Sequence, residues 1–145
     1  MKKNKGFTLI EILIVVAIIG LLSSVVLVGL GSFRARGRDA RRVADLREVQ
    51  NSMELYYFKN NNYPAASTWN DLKVALTGAG IGVSIIPTDP LSGSGETYYY
   101  GVSTDKQSYV LGATLEDANN SSLKDDTDVS VYGVNCADPV YCVQF

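Results

Sequence analysis

Hydrophobic positions fall into three regimes along this chain, and each predicts a different element. From Phe7 to Phe33 almost every side chain is apolar, and no charge occurs between Glu11 and Arg34. That stretch is long enough to cross a bilayer as a helix. Beyond Arg34 the run gives way to a stripe. Val43, Leu46, Val49, Met53, Tyr56 and Tyr57 recur at three- and four-residue spacing, while charged residues such as Arg47 and Glu48 take the other faces. Arg41 and Asp45 stand at i, i+4, where opposite charges pair on a helix. No proline interrupts residues 7–58, so the apolar and amphipathic segments read as one helix. It should end near Asn60-Asn61-Asn62, where Tyr63-Pro64 sets the chain extended.

The third regime is mixed. Ser67 or Thr68 can cap a short second helix with Trp69, Leu72, Val74, Ala75 and Leu76 turned inward, ended by Gly78-Ala79-Gly80. Gly82 to Pro90 reads as a loop with Ile85 and Ile86 tucked in, and Asp89 to Gly95 as a turn-rich link. Thr97–Val102 and Ser108–Leu115 are rich in β-formers and are joined by Thr104–Gln107 as a hairpin. Glu116 to Asp128 is an acidic loop, Val129–Val134 a third strand candidate, and Val140–Val143 a tail returning along the sheet. The expected fold class is α+β: a three- or four-stranded antiparallel sheet packed on the far half of a long N-terminal helix.

Charge sharpens the start of the chain. Lys2, Lys3 and Lys5 form a cationic head that stays cytoplasmic under the positive-inside rule. A charge in hydrocarbon costs a few kcal/mol, so Glu11 needs either a partner or a position shallow enough to snorkel. An ordinary secretory signal has an apolar stretch of about 7–15 residues and a small-x-small cleavage site. Here the stretch is too long, a carboxylate interrupts its beginning, and Gly29-Leu30-Gly31 is a poor cleavage site. Lys5-Gly6-Phe7-Thr8-Leu9-Ile10-Glu11, continued by Ile14-Val15-Val16-Ala17-Ile18-Ile19-Gly20, instead closely resembles the class III signal of type IV pilins and type II secretion pseudopilins.

The resemblance implies a leader at 1–6, a transmembrane and assembly helix at 7–33, its amphipathic continuation at 34–62, and an exported α+β head at 63–145, together the pilin fold. It also implies cleavage by prepilin peptidase between Gly6 and Phe7, and N-methylation of Phe7. Glu11 would pair with the terminal amine of a neighbouring subunit as a homopolymer grows. An assembly platform protein and a motor ATPase are the further partners implied. The chain would reside in the cytoplasmic (inner) membrane before joining an extracellular pilus or a periplasmic pseudopilus. Many members carry a proline where this chain has Val28; Gly29 and Gly31 follow instead, serving either as a flexible point or in close helix packing. Asn62-Tyr63-Pro64 resembles the major pseudopilins, whereas Leu91 and Ser92 depart from their loop pattern. The other readings are a secretion pseudopilin and an anchored binding module, for DNA or a surface ligand, that never polymerises.

Composition narrows the chemistry. Removing the three leader lysines from 13 basic residues leaves 10 against 15 acids, or −5. All six arginines lie between Arg34 and Arg47, and Lys59, Lys73, Lys106 and Lys124 are the basic residues beyond them. The acidic distal part argues against nucleic-acid binding. The block Arg34, Arg36, Arg38, Arg41 and Arg42 is expected to meet phosphate headgroups or acidic neighbours in a fibre rather than DNA. With no histidine, the usual base of a serine or cysteine triad is missing, and no phosphate-binding loop occurs. No catalytic residue, metal site or cofactor is assigned, and the chain is not expected to be an enzyme. Tyr98, Tyr99 and Tyr100 read as half-buried sheet residues rather than a stacking surface. Cys136 and Cys142 read as a disulfide in an exported domain, with two free thiols as the alternative; many type IV pilins close a C-terminal loop in this way. Glu116, Asp117, Asp125, Asp126 and Asp128 suit calcium by ligand type, as resemblance to the major pseudopilins also suggests, but their spacing does not match an EF-hand and solvated surface charge, the favoured reading, explains them without an ion.

Overall fold

A computed structural model describes residues 6–91, 93 and 98–145, without the side chains of residues 27–29. Lys2, Lys3 and Lys5, the link residues Ser92, Ser94 and Gly95, the expected strand start Thr97, and the side chains at Val28 and Gly29 fall outside the described residues. The chain divides into two units, residues 1–34 and 35–145. Helix α1, Leu9–Asn60, contributes to both.

In the first unit, α1 carries its apolar side chains in the open. Phe7, Ile10, Leu13, Val16, Leu22 and Phe33 are all more than half exposed, and no residue of the most apolar 18-residue window is buried. By length and composition this segment can cross a membrane. A helix apolar on every side is stable only where lipid or other apolar helices surround it.

The second unit supplies its own core. Leu46, Val49 and Met53 of α1 are fully buried, and Tyr56 and Tyr57 pack at the edge of the same cluster. Helix α2 runs Trp69–Gly78; Thr68 caps it by accepting the N–H of Asp71 through Oγ1 at 3.1 Å. Trp69, Leu72 and Leu76 turn inward. Strands β1 (Tyr98–Val102), β2 (Tyr109–Thr114) and β3 (Val140–Gln144) form an antiparallel sheet in that order. Tyr98 pairs with Ala113 and Leu111 with Val143. Alternation on the strands sends Tyr98, Tyr100, Tyr109, Leu111 and Ala113 toward α1 and α2. Full burial of a side chain such as Leu111 contributes about 1.5–3 kcal/mol. The tyrosines reach polar partners as well: Tyr98 donates to Asp45 Oδ2 at 2.6 Å and Tyr100 to the Pro64 carbonyl at 2.8 Å.

Three expectations change. Val129–Val134 is not a strand. Tyr132 (φ 46°) and Gly133 (φ 84°) turn the chain back so that Val131 and Val134 exchange both backbone hydrogen bonds at 2.9 Å. The turn lies against β1: a Cβ on Gly101 would stand 2.5 Å from the Tyr132 carbonyl oxygen, so glycine is what allows the approach. With Val110, Cys136 and Cys142, Val134 forms a second small core behind the sheet. Ile86 is buried but Ile85 is 80% exposed, so this loop turns only one of its two isoleucines inward. Val74 likewise faces solvent, on the outer side of α2.

Candidate functional site

Two clusters of polar chemistry stand out, one in each unit. At the start of α1, residues 6–8 precede the helix, and Gly6 and Phe7 are exposed. Glu11 Oε2 accepts both the backbone N–H and the hydroxyl of Thr8 at 2.7 Å, and Thr8 Oγ1 accepts the Glu11 N–H at 3.3 Å. This is a reciprocal capping box, which satisfies helix-start donors that otherwise lack partners. Its signature, Thr8-x-x-Glu11 before an apolar run, stands in the sequence, beside the readings of Glu11 as a charge that needs a partner or a shallow position. Within the subunit, Thr8 supplies polar contacts for that carboxylate, and the Gly6–Phe7 bond lies outside the helix.

The second cluster disposes of the arginine block. Arg42 is 1% exposed and donates to Asp39, to Glu116 Oε1 at 2.7 Å, and to both oxygens of Asp89. Burial by itself would lower the Arg42 pKa; the hydrogen bonds to Asp89, Glu116 and Asp39 outweigh it and raise the pKa above the usual value. Asp39, fully buried one turn earlier, accepts Arg42 Nη1 at 2.8 Å and the backbone N–H groups of Glu116 and Asp117 at 2.9 Å. Arg38 pairs with Glu116, and Arg36 with Asp117 at 3.2 Å. The hydrogen bond from Arg38, assisted by Arg42, holds the Glu116 pKa down to about 2. Arg41 and Asp45 make the expected i, i+4 pair at 3.9 Å. Arg36, Arg38 and Arg42 therefore meet acids of their own chain. Only the Asp39–Arg42 contact, at i, i+3, is local; Asp89 lies 47 residues from Arg42, and Glu116 and Asp117 lie 74 to 81 residues from the arginines they meet, so spacing does not reveal them.

The acidic loop divides accordingly. Glu116 and Asp117 are committed to arginines, and a 3₁₀ turn at Ser121–Lys124 buries Leu123. Asp125 is exposed, while Asp126 and Asp128 converge with Asp138, a residue outside the predicted set, with oxygens within 4.8 Å of one another. Asp126 Oδ2 accepts the Cys142 N–H at 2.7 Å, and its Oδ1 is buried without a hydrogen bond among the described residues. Burial raises the Asp126 pKa, and Asp128 and Asp138 add to the rise. Beside this cluster Cys136 and Cys142 are joined in a disulfide, with their Cα atoms 5.7 Å apart.

A capped helix apolar enough to cross a membrane, and a long helix packed on a small antiparallel sheet, define a pilin-class subunit. Residues 1–27 match the family described as the prokaryotic N-terminal methylation motif. Over 129 residues the chain is 34% identical to the type IV wide pilus major component PilA4 of Thermus thermophilus, covering 84% of this chain and 98% of that protein. It is 27% identical to a fimbrial protein of Pseudomonas aeruginosa, over 86% of this chain and 76% of that one. Similarity to the type II secretion system core protein G of Aeromonas hydrophila, 30% identical, covers about half of each chain. No solved structure matches the chain at a significant level. The chain belongs to the type IV pilin family, structural subunits of pilus and pseudopilus fibres.

Proposed function

We propose that this chain is a prepilin cut between Gly6 and Phe7 by prepilin peptidase, methylated on the Phe7 amine, and polymerised into a type IV pilus-like fibre through its N-terminal helix. The observation that carries the reading is the exposed apolar surface of the described side chains at 7–26 and 30–33, which holds one carboxylate, Glu11, and follows a non-helical Gly6–Phe7 bond. In the fibre, Glu11 pairs with the methylated Phe7 amine of a neighbouring subunit. Two opposite charges in an apolar core compensate each other, whereas either alone is costly. Burying the helix against other copies replaces its lipid contacts. A platform protein and a motor ATPase drive extraction from the cytoplasmic membrane to the extracellular pilus.

The role is structural, not enzymatic, and three arginines that could have met nucleic acid are occupied by carboxylates. A type II secretion pseudopilin is the second reading, favoured by the partial likeness to core protein G; the likeness to PilA4 along nearly its full length favours the pilus. The test is the intact mass and N-terminal sequence of membrane-extracted protein from cells with and without their prepilin peptidase. The expected chain starts at methylated Phe7 only when the peptidase is present; one retaining Met1 in both refutes the reading. Glu11→Ala is expected to insert normally and to lose fibres, and normal fibre yield refutes the pairing.

A further inference from the structure

The loop after β2 contains Asp117-Ala118-Asn119-Asn120-Ser121-Ser122. It holds two overlapping Asn-x-Ser triplets without proline, the acceptor pattern for an N-linked glycan. The structure separates them. Asn120 is half-buried, and its Oδ1 accepts the Ser122 N–H at 3.0 Å as the cap of the 3₁₀ turn. Asn119 is exposed in the preceding turn. Its backbone N–H donates to Asp117 Oδ1 at 3.0 Å, and its side-chain amide makes no hydrogen bond among the described residues. The loop's base is fixed, because the Asp117 N–H donates to buried Asp39 and the Asp117 carboxylate faces Arg36. Arg36, Asp117, Asn119, Asn120 and Ser121 line one open surface depression, with the hydroxyl-bearing residue of the triplet, Ser121, exposed. A rigid base and an open acceptor at the rim leave room for a large hydrated substituent, which would displace no core contact.

We propose that Asn119 is an N-glycosylation site, modified on the exported side of the membrane by a transferase that uses a polyprenyl-diphosphate-linked oligosaccharide. Asn119 Nδ2 attacks the anomeric carbon of the first sugar. The bond from that carbon to the diphosphate oxygen breaks, the lipid diphosphate leaves with the bonding electrons, and Nδ2 gives up one proton to a base. An N–C bond replaces an O–C bond, so no oxidant or reductant takes part. The inference rests on export of the head, as in the function proposed above.

The experiment is intact mass and peptide mapping of the full chain from its own cells, beside Asn119→Gln, Ser121→Ala and Ser122→Ala. The expected result is an added glycan mass on the peptide holding Asn119, absent from Asn119→Gln and Ser121→Ala and retained in Ser122→Ala. Wild-type protein that starts at methylated Phe7 and has the mass of the polypeptide alone overturns this inference and leaves the pilin reading standing. A chain that retains Met1 and carries no glycan overturns both. A glycan that survives Asn119→Gln, or is lost only with Ser122→Ala, places the sugar elsewhere and also overturns the inference.

Discussion

Asp39→Asn should be among the most damaging single-atom changes available in the head. The wild-type carboxylate receives three donors: Arg42 Nη1 at 2.8 Å and the backbone N–H groups of Glu116 and Asp117 at 2.9 Å. Asparagine keeps the shape but offers one oxygen, and its amide nitrogen points a donor at another donor. Leaving a buried donor unsatisfied costs about 1–3 kcal/mol. Removing one member of a buried ion pair costs about 3–5 kcal/mol when the other charge is stranded. Arg42 keeps Asp89 and Glu116, so the second cost is reduced. The expected total is about 3–4 kcal/mol, a large share of the 5–15 kcal/mol that holds a domain together. Asp39→Ala should cost a similar amount. The assay is guanidinium unfolding of the full chain in detergent, followed by the fluorescence of Trp69. That residue is the single tryptophan and is buried in the core of the head, so it reports this unit. A variant Asp39→Asn within about 1 kcal/mol of wild type, at unchanged denaturant slope, refutes the claim that this carboxylate fastens the loop.

The network also predicts an acid response. The folded pKa of Glu116, about 2, lies below its ordinary 4.5, so its contribution is fully present above pH 4.5 and is lost as pH falls toward 2. Because that side chain is exposed, solvent screening reduces the contribution to about 1 kcal/mol. Glu116→Gln should flatten stability over that window, and an unchanged pH profile refutes it. Asp126 has the opposite sign: its pKa is raised, so stability is lost as pH rises through the folded value. Asp126→Asn keeps an acceptor for the Cys142 N–H and should raise the unfolding midpoint at pH 7, with the gain vanishing at acid pH. A variant destabilised at pH 7 refutes this and points to a cation held by Asp126, Asp128 and Asp138. Replacing Cys136 and Cys142 together by alanine should cost about 2 kcal/mol against the oxidised wild type, read as a lower unfolding midpoint that reduction of the variant does not lower further; an unchanged midpoint refutes it.

Much of this fold was legible because its signals are local. The stripe of Val43, Leu46, Val49 and Met53, the Thr68 cap and the tyrosine-rich strands need only neighbours within a few positions to declare themselves. The failures are of another kind. Val129–Val134 alternates like a strand, yet Tyr132-Gly133 takes left-handed backbone and folds the segment on itself. Ile85 and Val74 are apolar residues on outward-facing positions, which composition cannot distinguish from inward ones. At the start of the chain Gly6, Phe7 and Glu11 are legible as a motif, and the Thr8-x-x-Glu11 spacing carries the capping role of Thr8 as well. For the arginines the i, i+4 spacing of Arg41 and Asp45 was legible, as was the i, i+3 spacing of Asp39 and Arg42, whereas the partners Asp89, Glu116 and Asp117 are set by the path of the whole head.

That path has a consequence for the order of folding. Asp39 and Arg42 lie early in the head and pair with each other, but the remaining groups that bind them arrive 47 to 78 residues later. Until Asp89 and Glu116 have been delivered, those turns of α1 can face only water. Closing a loop that long is entropically slow, and contacts of such sequence separation form late in folding. The ionic clasp therefore works as a latch on a finished head. A chain shortened before residue 116 would keep its stripe of Leu46, Val49 and Met53, yet it would leave the Asp39–Arg42 turn without part of its closure.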